Sequence, residues 1–115
     1  MSRPAIRSFY RAAKKYPPTD RDYLTPQERR GDPPEHLTPE QRRSWTALSA
    51  YDTEEGVRRQ HRLLRPPGLG KHVVRYDIPE GSGITWEQTI APGHFDLRGD
   101  PEELKHYLTD FRAAL

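Results

Sequence analysis

Between Tyr16 and Pro39 the chain carries Pro17, Pro18, Pro26, Pro33, Pro34 and Pro39. Each proline removes a backbone donor and fixes φ, so this stretch is excluded as a central strand. It reads instead as a long excursion with short helical turns. Thr25-Pro26-Gln27-Glu28 sets a capping threonine before a proline at the first helical position, with a glutamate three residues on, and Gly31 would soon end that turn. Thr38-Pro39-Glu40-Gln41 repeats the pattern and opens a second short helix, roughly from Pro39 to Trp45.

The segments around the excursion have clearer periodicity. Ile6 to Ala13 is a first strand rich in aromatic residues, and Thr46 to Tyr51 a second. Asp52 and Glu55 form a capping box that opens a helix through about Leu64, whose apolar stripe is narrow (Val57, Leu63 and Leu64) and which Pro66-Pro67-Gly68 ends. His72 to Ile78 alternates, with Val74, Tyr76 and Ile78 on one face and Arg75 and Asp77 on the other. After the turn at residues 79–83, Ile84 to Thr89 sets Ile84 and Trp86 opposite Thr85 and Glu87. Ala91-Pro92-Gly93 turns into His94 to Arg98, where Phe95 and Leu97 face the core while His94, Asp96 and Arg98 face away. Asp100-Pro101-Glu102-Glu103 starts another helix. The spacing of Leu104, Tyr107, Leu108, Phe111 and Leu115 supports a C-terminal helix, with a short helix followed by a last strand as the alternative. The expected architecture is α+β: a mixed, mainly antiparallel sheet of five or six strands, one main helix, and short helices in the excursion at about 16–39.

A chain of 115 residues fits a single domain that buries roughly 65% of its unfolded surface. Hydrophobic residues make up 32% and charged residues 31%, with a mean hydropathy of −1.05, so the core must be lean. Phe9, Trp45, Trp86, Phe95, Phe111 and several tyrosines compensate through their large burial area. The absence of cysteine rules out disulfides, thiolate zinc sites and cysteine nucleophiles. The basic N-terminus lacks an apolar run of signal-peptide length and no window approaches a membrane span, which together lead to the expectation of a cytoplasmic protein without a membrane partner. The net charge of +2 does not itself imply a polyanion partner. Arg58, Arg59, Arg62, Arg65, Lys71 and Arg75 nevertheless cluster, either as the solvated face of a helix and its exit or as a nucleic-acid surface over 58–75.

Known chemical signatures are sparse. His36, His61, His72, His94 and His106 show no zinc spacing, so no metal site is expected. Gly68-Leu69-Gly70-Lys71 has half a phosphate loop's residues but precedes a strand instead of following one, and reads as a turn. There is no GxSxG elbow.

A more informative set is Arg11 on the first strand, Ser49 and Tyr51 on the second, and Glu87 on a later one. Ser8-Phe9-Tyr10-Arg11-Ala12, the run from Leu48 to Arg59, and Ile84 to Thr89 resemble, in this order, the core pattern of the ADP-ribosyltransferase-like superfamily. The run from Gly93 to Leu104 resembles the ending of small bacterial proteins with a similar beginning. The superfamily resemblance implies NAD as cofactor, with Arg11 on the pyrophosphate through its planar donors and Ser49 near the nicotinamide ribose. It further implies that Glu87 stabilises the charge developing on that ribose as nicotinamide leaves. Thr85 stands two positions before Glu87, where many such transferases carry an acidic residue or glutamine. Ser49 and Glu87 are thus the candidate catalytic residues, and Arg11, Tyr51 and His94 the candidate cofactor-binding ones. The plainer alternatives are a salt-bridged Arg11, a strand-ending Ser49, a packed Tyr51, a solvent-facing Glu87 and a loop-bonding His94. At the level of the whole chain, the alternative to an enzyme cleaving NAD is a non-catalytic binding or regulatory module.

Overall fold

The computed structural model describes residues 5–64 and 70–115. Strand β1 (Ile6–Ala13) leads into the proline-rich excursion, which holds a 3-10 turn (Asp20–Tyr23) and helices α1 (Pro26–Arg30) and α2 (Pro39–Ser44). Strand β2 (Leu48–Tyr51), helix α3 (Glu54–Leu64) and strands β3 (His72–Pro79), β4 (Thr85–Gln88) and β5 (His94–Arg98) follow. Helix α4 (Pro101–Lys105) and strand β6 (Leu108–Ala114) complete the order. The six strands form one sheet in the order β4-β5-β2-β1-β3-β6, and every described pairing is antiparallel. The fold is α+β. No described helix is long and apolar enough to cross a membrane.

Both capping boxes of the excursion form. Thr25 Oγ1 accepts from Glu28 N at 3.2 Å while Glu28 Oε1 accepts from Thr25 N at 3.0 Å, and Thr38 and Gln41 reciprocate in the same way. Helix α3 differs from expectation at its start, because Thr53 Oγ1, and not Asp52, accepts from the Gly56 amide at 3.0 Å. The C-terminal helix is short, and the chain then turns at His106 and Tyr107 into β6. A ladder with β3 satisfies backbone groups that would otherwise form an open edge, and this outweighs the helical spacing of the apolar residues. The proline-glycine stop at residues 66–68 lies outside the described residues.

Residues directly opposite in an antiparallel ladder point to the same face. Phe9 faces with Tyr76, Leu48 with Leu97, and Ala50 with Phe95, which defines the core face. Val74, Ile78, Ile84 and Leu104 join them, and Tyr23 closes over from the excursion, where Tyr76 Oη donates to Tyr23 Oη at 2.9 Å. The opposite face carries Tyr10, Ser49, Tyr51, His94, Asp96 and Glu87. Helix α3 crosses this second face at Gly56, where a Cβ would lie 2.8 Å from the Tyr51 ring.

Candidate functional site

Strands β1 and β2 pair at a single register position, Tyr10 opposite Tyr51. Beyond it the strands part, and Arg11 Nε donates to the Ser49 carbonyl at 2.9 Å, replacing the backbone donor that a longer ladder would supply. Arg11 stands opposite Val74 and so belongs to the core face, where it is 9% exposed. Ser49 and Tyr51 belong to the other face. Simple strand alternation would therefore have separated Arg11 from them. The seam brings them together.

A cavity of about 540 Å³ opens at this seam, within the roughly 300–1,000 Å³ of ligand pockets. The excursion supplies one wall with Arg21, Asp22, Arg29 and Arg30, and α3 supplies another with Val57, Gln60 and His61. Arg11, Lys14, Arg21, Arg29 and Arg30 line it, and no ion pair among the described residues engages any of the five. The Asp22 carboxylate instead accepts from the Lys14 and Thr19 amides, each at 3.0 Å. Burial, followed by the fields of Arg30, Arg11 and Arg21, pushes the Arg29 pKa below its ordinary value. Like charges thus converge on a partly dehydrated space, which favours an anion. Burial raises the pKa of the Tyr51 phenol on the same cavity.

Behind Ser49 lies His94, in the next strand. Ser49 Oγ and His94 Nε2 are 2.5 Å apart, and His94 Nδ1 is 2.8 Å from Thr89 Oγ1. Tyr51 meets the imidazole edge-on, with ring centroids 5.1 Å apart. Burial lowers the His94 pKa, partly opposed by the charge of Asp96. His94 does not itself line the cavity.

Glu87 is placed differently. It pairs across the ladder with Asp96, which pairs with Ser49, so Glu87 shares a face with Ser49 but sits two strand spacings away, roughly 10 Å. Its carboxylate accepts two hydrogen bonds from Arg43 Nη2, at 2.7 and 2.8 Å, and it lines a separate recess with Arg43, Trp86 and Arg98. Asp96 does face away from the core, as its alternation predicts, yet it is 2% exposed because α2 covers it. Ser44 Oγ donates to Asp96 Oδ2 at 2.9 Å, and Arg98 stands 3.9 Å away.

Arg11, Ser49 and Tyr51 therefore line one cavity, His94 backs it, and Glu87 stands apart. Lys14, Arg21, Arg29 and Arg30 are further members that strand alternation does not single out, although Arg29-Arg30 beside the turn glycine Gly31 was a visible local charge pair. In the basic run, Arg58 pairs with Glu54 at 2.7 Å, Arg62 with Glu55 at 2.5 Å, and Arg75 with Asp77 at 3.3 Å. Arg65 lies outside the described residues. Comparisons with family models, curated proteins and solved structures returned no match.

Proposed function

We propose that this chain is an ADP-ribosyltransferase-like domain that binds NAD or a related phosphate-bearing nucleotide in the cavity between β1 and β2. The observation that carries this reading is the convergence of five cations, none in an ion pair among the described residues, on a space that Tyr51 and Ser49 also line. Guanidinium groups match phosphate oxygens in shape and charge, and the half-buried phenol ring offers a flat apolar surface to a base or nicotinamide. A nucleic-acid surface on the helix and its exit has less support, since Arg58, Arg62 and Arg75 are already paired with carboxylates.

Binding is the part of the reading that the geometry supports best. Cleavage of NAD assisted by Glu87 requires that carboxylate to leave Arg43 and approach the cavity. Calorimetry with NAD tests the binding. Arg11→Ala should weaken it by about 10-fold or more, because a charge-assisted hydrogen bond is removed. Glu87→Gln should leave affinity intact and lower nicotinamide release by about 10²-fold or more. Release that is indifferent to Glu87→Gln removes Glu87 from the chemistry, and absence of NAD binding by the unmutated chain removes the reading.

A further inference from the structure

We propose that Ser49 is a nucleophile toward phosphorus, with His94 as its base and Arg11 as the neighbouring phosphate holder; the substrate class, a nucleotide pyrophosphate linkage, rests on the binding reading above. In this proposal the imidazole is in the tautomer that carries its proton on Nδ1. Thr89 Oγ1 also lies 3.4 Å from the His94 carbonyl and donates to it. In that tautomer Thr89 Oγ1, 2.8 Å away, accepts from Nδ1–H. A neutral imidazole carrying its proton on Nδ1 leaves Nε2 as an acceptor, so the Ser49 hydroxyl donates to Nε2 at 2.5 Å. Burial disfavours the imidazolium in the resting protein and keeps that lone pair available.

Position separates this pair from an ordinary surface hydrogen bond. Ser49 is exposed and lines the cavity, whereas His94 stands behind it, so an electrophile in the cavity meets the hydroxyl first. Arg11 is tied to the same residue through Nε and the Ser49 carbonyl, and its two Nη groups have no protein acceptor among the described residues. Arg11 and Ser49 line the same cavity, so Arg11 is the group assigned here to hold the phosphate. Nucleophile and base are within the hydrogen-bond reach that an activated hydroxyl requires, and Arg11 supplies charge on the same cavity.

In the reaction, the Ser49 hydroxyl proton passes to His94 Nε2 as Oγ forms a bond to phosphorus. The P–O bond to the leaving group breaks, its electron pair stays on the leaving oxygen, and His94 returns the proton to that oxygen. Water then attacks the phosphoseryl group, giving one proton to His94, and the Ser49 oxygen leaves and recovers it. One pyrophosphate linkage and one water thus yield two monophosphates.

The test uses the full chain with diisopropyl fluorophosphate, a phosphorus electrophile, followed by intact mass and peptide mapping. Labelling should fall on Ser49 and not on Ser8, Ser44 or Ser82, and His94→Gln should slow it by about 10²-fold or more. Nitrogen NMR of the unmutated chain should show Nδ1 protonated and Nε2 bare, which keeps the test independent of how well the variant folds. An unlabelled Ser49, labelling that His94→Gln leaves unchanged, or a protonated Nε2 in the neutral ring overturns the proposal. NAD calorimetry, run separately, distinguishes the two readings. NAD binding beside an inert Ser49 removes the nucleophile and keeps the binding site, whereas a labelled, His94-dependent Ser49 without NAD binding supports the nucleophile and removes NAD as occupant.

Discussion

His94 links the local chemistry of the site to a measurable property of the fold. Its ring is held neutral because burial opposes the charged form, and the facing charge of Asp96 offsets this in part. The folded pKa is therefore below the ordinary value of 6.5, so the unfolded chain takes up a proton first as pH falls. The contribution of His94 to stability is present in full above about that ordinary value and is lost as pH falls through the folded one. Melting temperature measured from pH 8 to 5 should decline in the acidic half of the range, and His94→Gln should flatten this part of the decline. The lowered carboxylates Asp20 and Glu55, hydrogen-bonded to Lys105 and Arg62, act below their ordinary values of 3.8 and 4.5, outside that window. A curve that is flat in the unmutated chain contradicts the assignment. Residue-level reading of the sequence reached His94, Ser49, Tyr51 and Arg11 but not the way they are joined. The Ser49 and His94 contact is diagonal between neighbouring strands, and a diagonal contact depends on a register that one chain does not reveal.

Among the elements, the two short capped helices and α3 set the walls of the cavity. The alternation of β3 and β5 placed those strands and their core residues correctly, the aromatic-rich run from Ile6 to Ala13 placed β1, and the capping boxes placed α1 and α2. What the sequence withheld is which surface each short helix covers: α2 buries Asp96, and α1 delivers Arg29 and Arg30 to the cavity. The C-terminal segment was ambiguous for a related reason, since the same apolar residues suit a helix alone but a strand beside the open edge of β3. Helix α1 has five residues and no buried side chain, so its cap is a large share of what holds it. Thr25→Ala should cost about 1 kcal/mol locally and weaken NAD binding through looser placement of Arg29 and Arg30, although Thr25 does not line the cavity. Thr38→Ala, which uncaps α2, should leave NAD affinity unchanged. On the opposite wall, the approach of α3 to Tyr51 requires a residue without a side chain. Gly56→Ala should push the helix off the ring and destabilise the fold by about 1–3 kcal/mol despite alanine's better helix propensity, as read by chemical denaturation.

At the scale of the whole molecule, a net charge of +2 conceals a strongly uneven distribution. Carboxylates pair with Arg58 and Arg62 of α3 and with Arg75 of β3 at short range, while the cavity gathers Arg11, Lys14, Arg21, Arg29 and Arg30 around the carboxylate of Asp22. Composition could not show this, because the five cations come from β1, its exit and two parts of the excursion, which meet only in the folded chain. The proline-rich segment is thus both the part least suited to the sheet and the main source of the cavity's charge. This distribution makes a prediction about ionic strength. Binding driven by several cations weakens as salt shortens the Debye length from about 30 Å at 0.01 M to about 10 Å at 0.1 M. NAD affinity measured by calorimetry across that range should therefore fall steadily, whereas the affinity of adenosine, which lacks phosphate, should hardly change. Arg29→Gln with Arg30→Gln should reduce the salt dependence along with the affinity. Arg58→Gln with Arg62→Gln should leave both as they were, because those guanidinium groups are already matched by Glu54 and Glu55. Equal sensitivity to the two double substitutions would mean that the ligand senses the overall field of the chain and not the cavity at the β1–β2 seam.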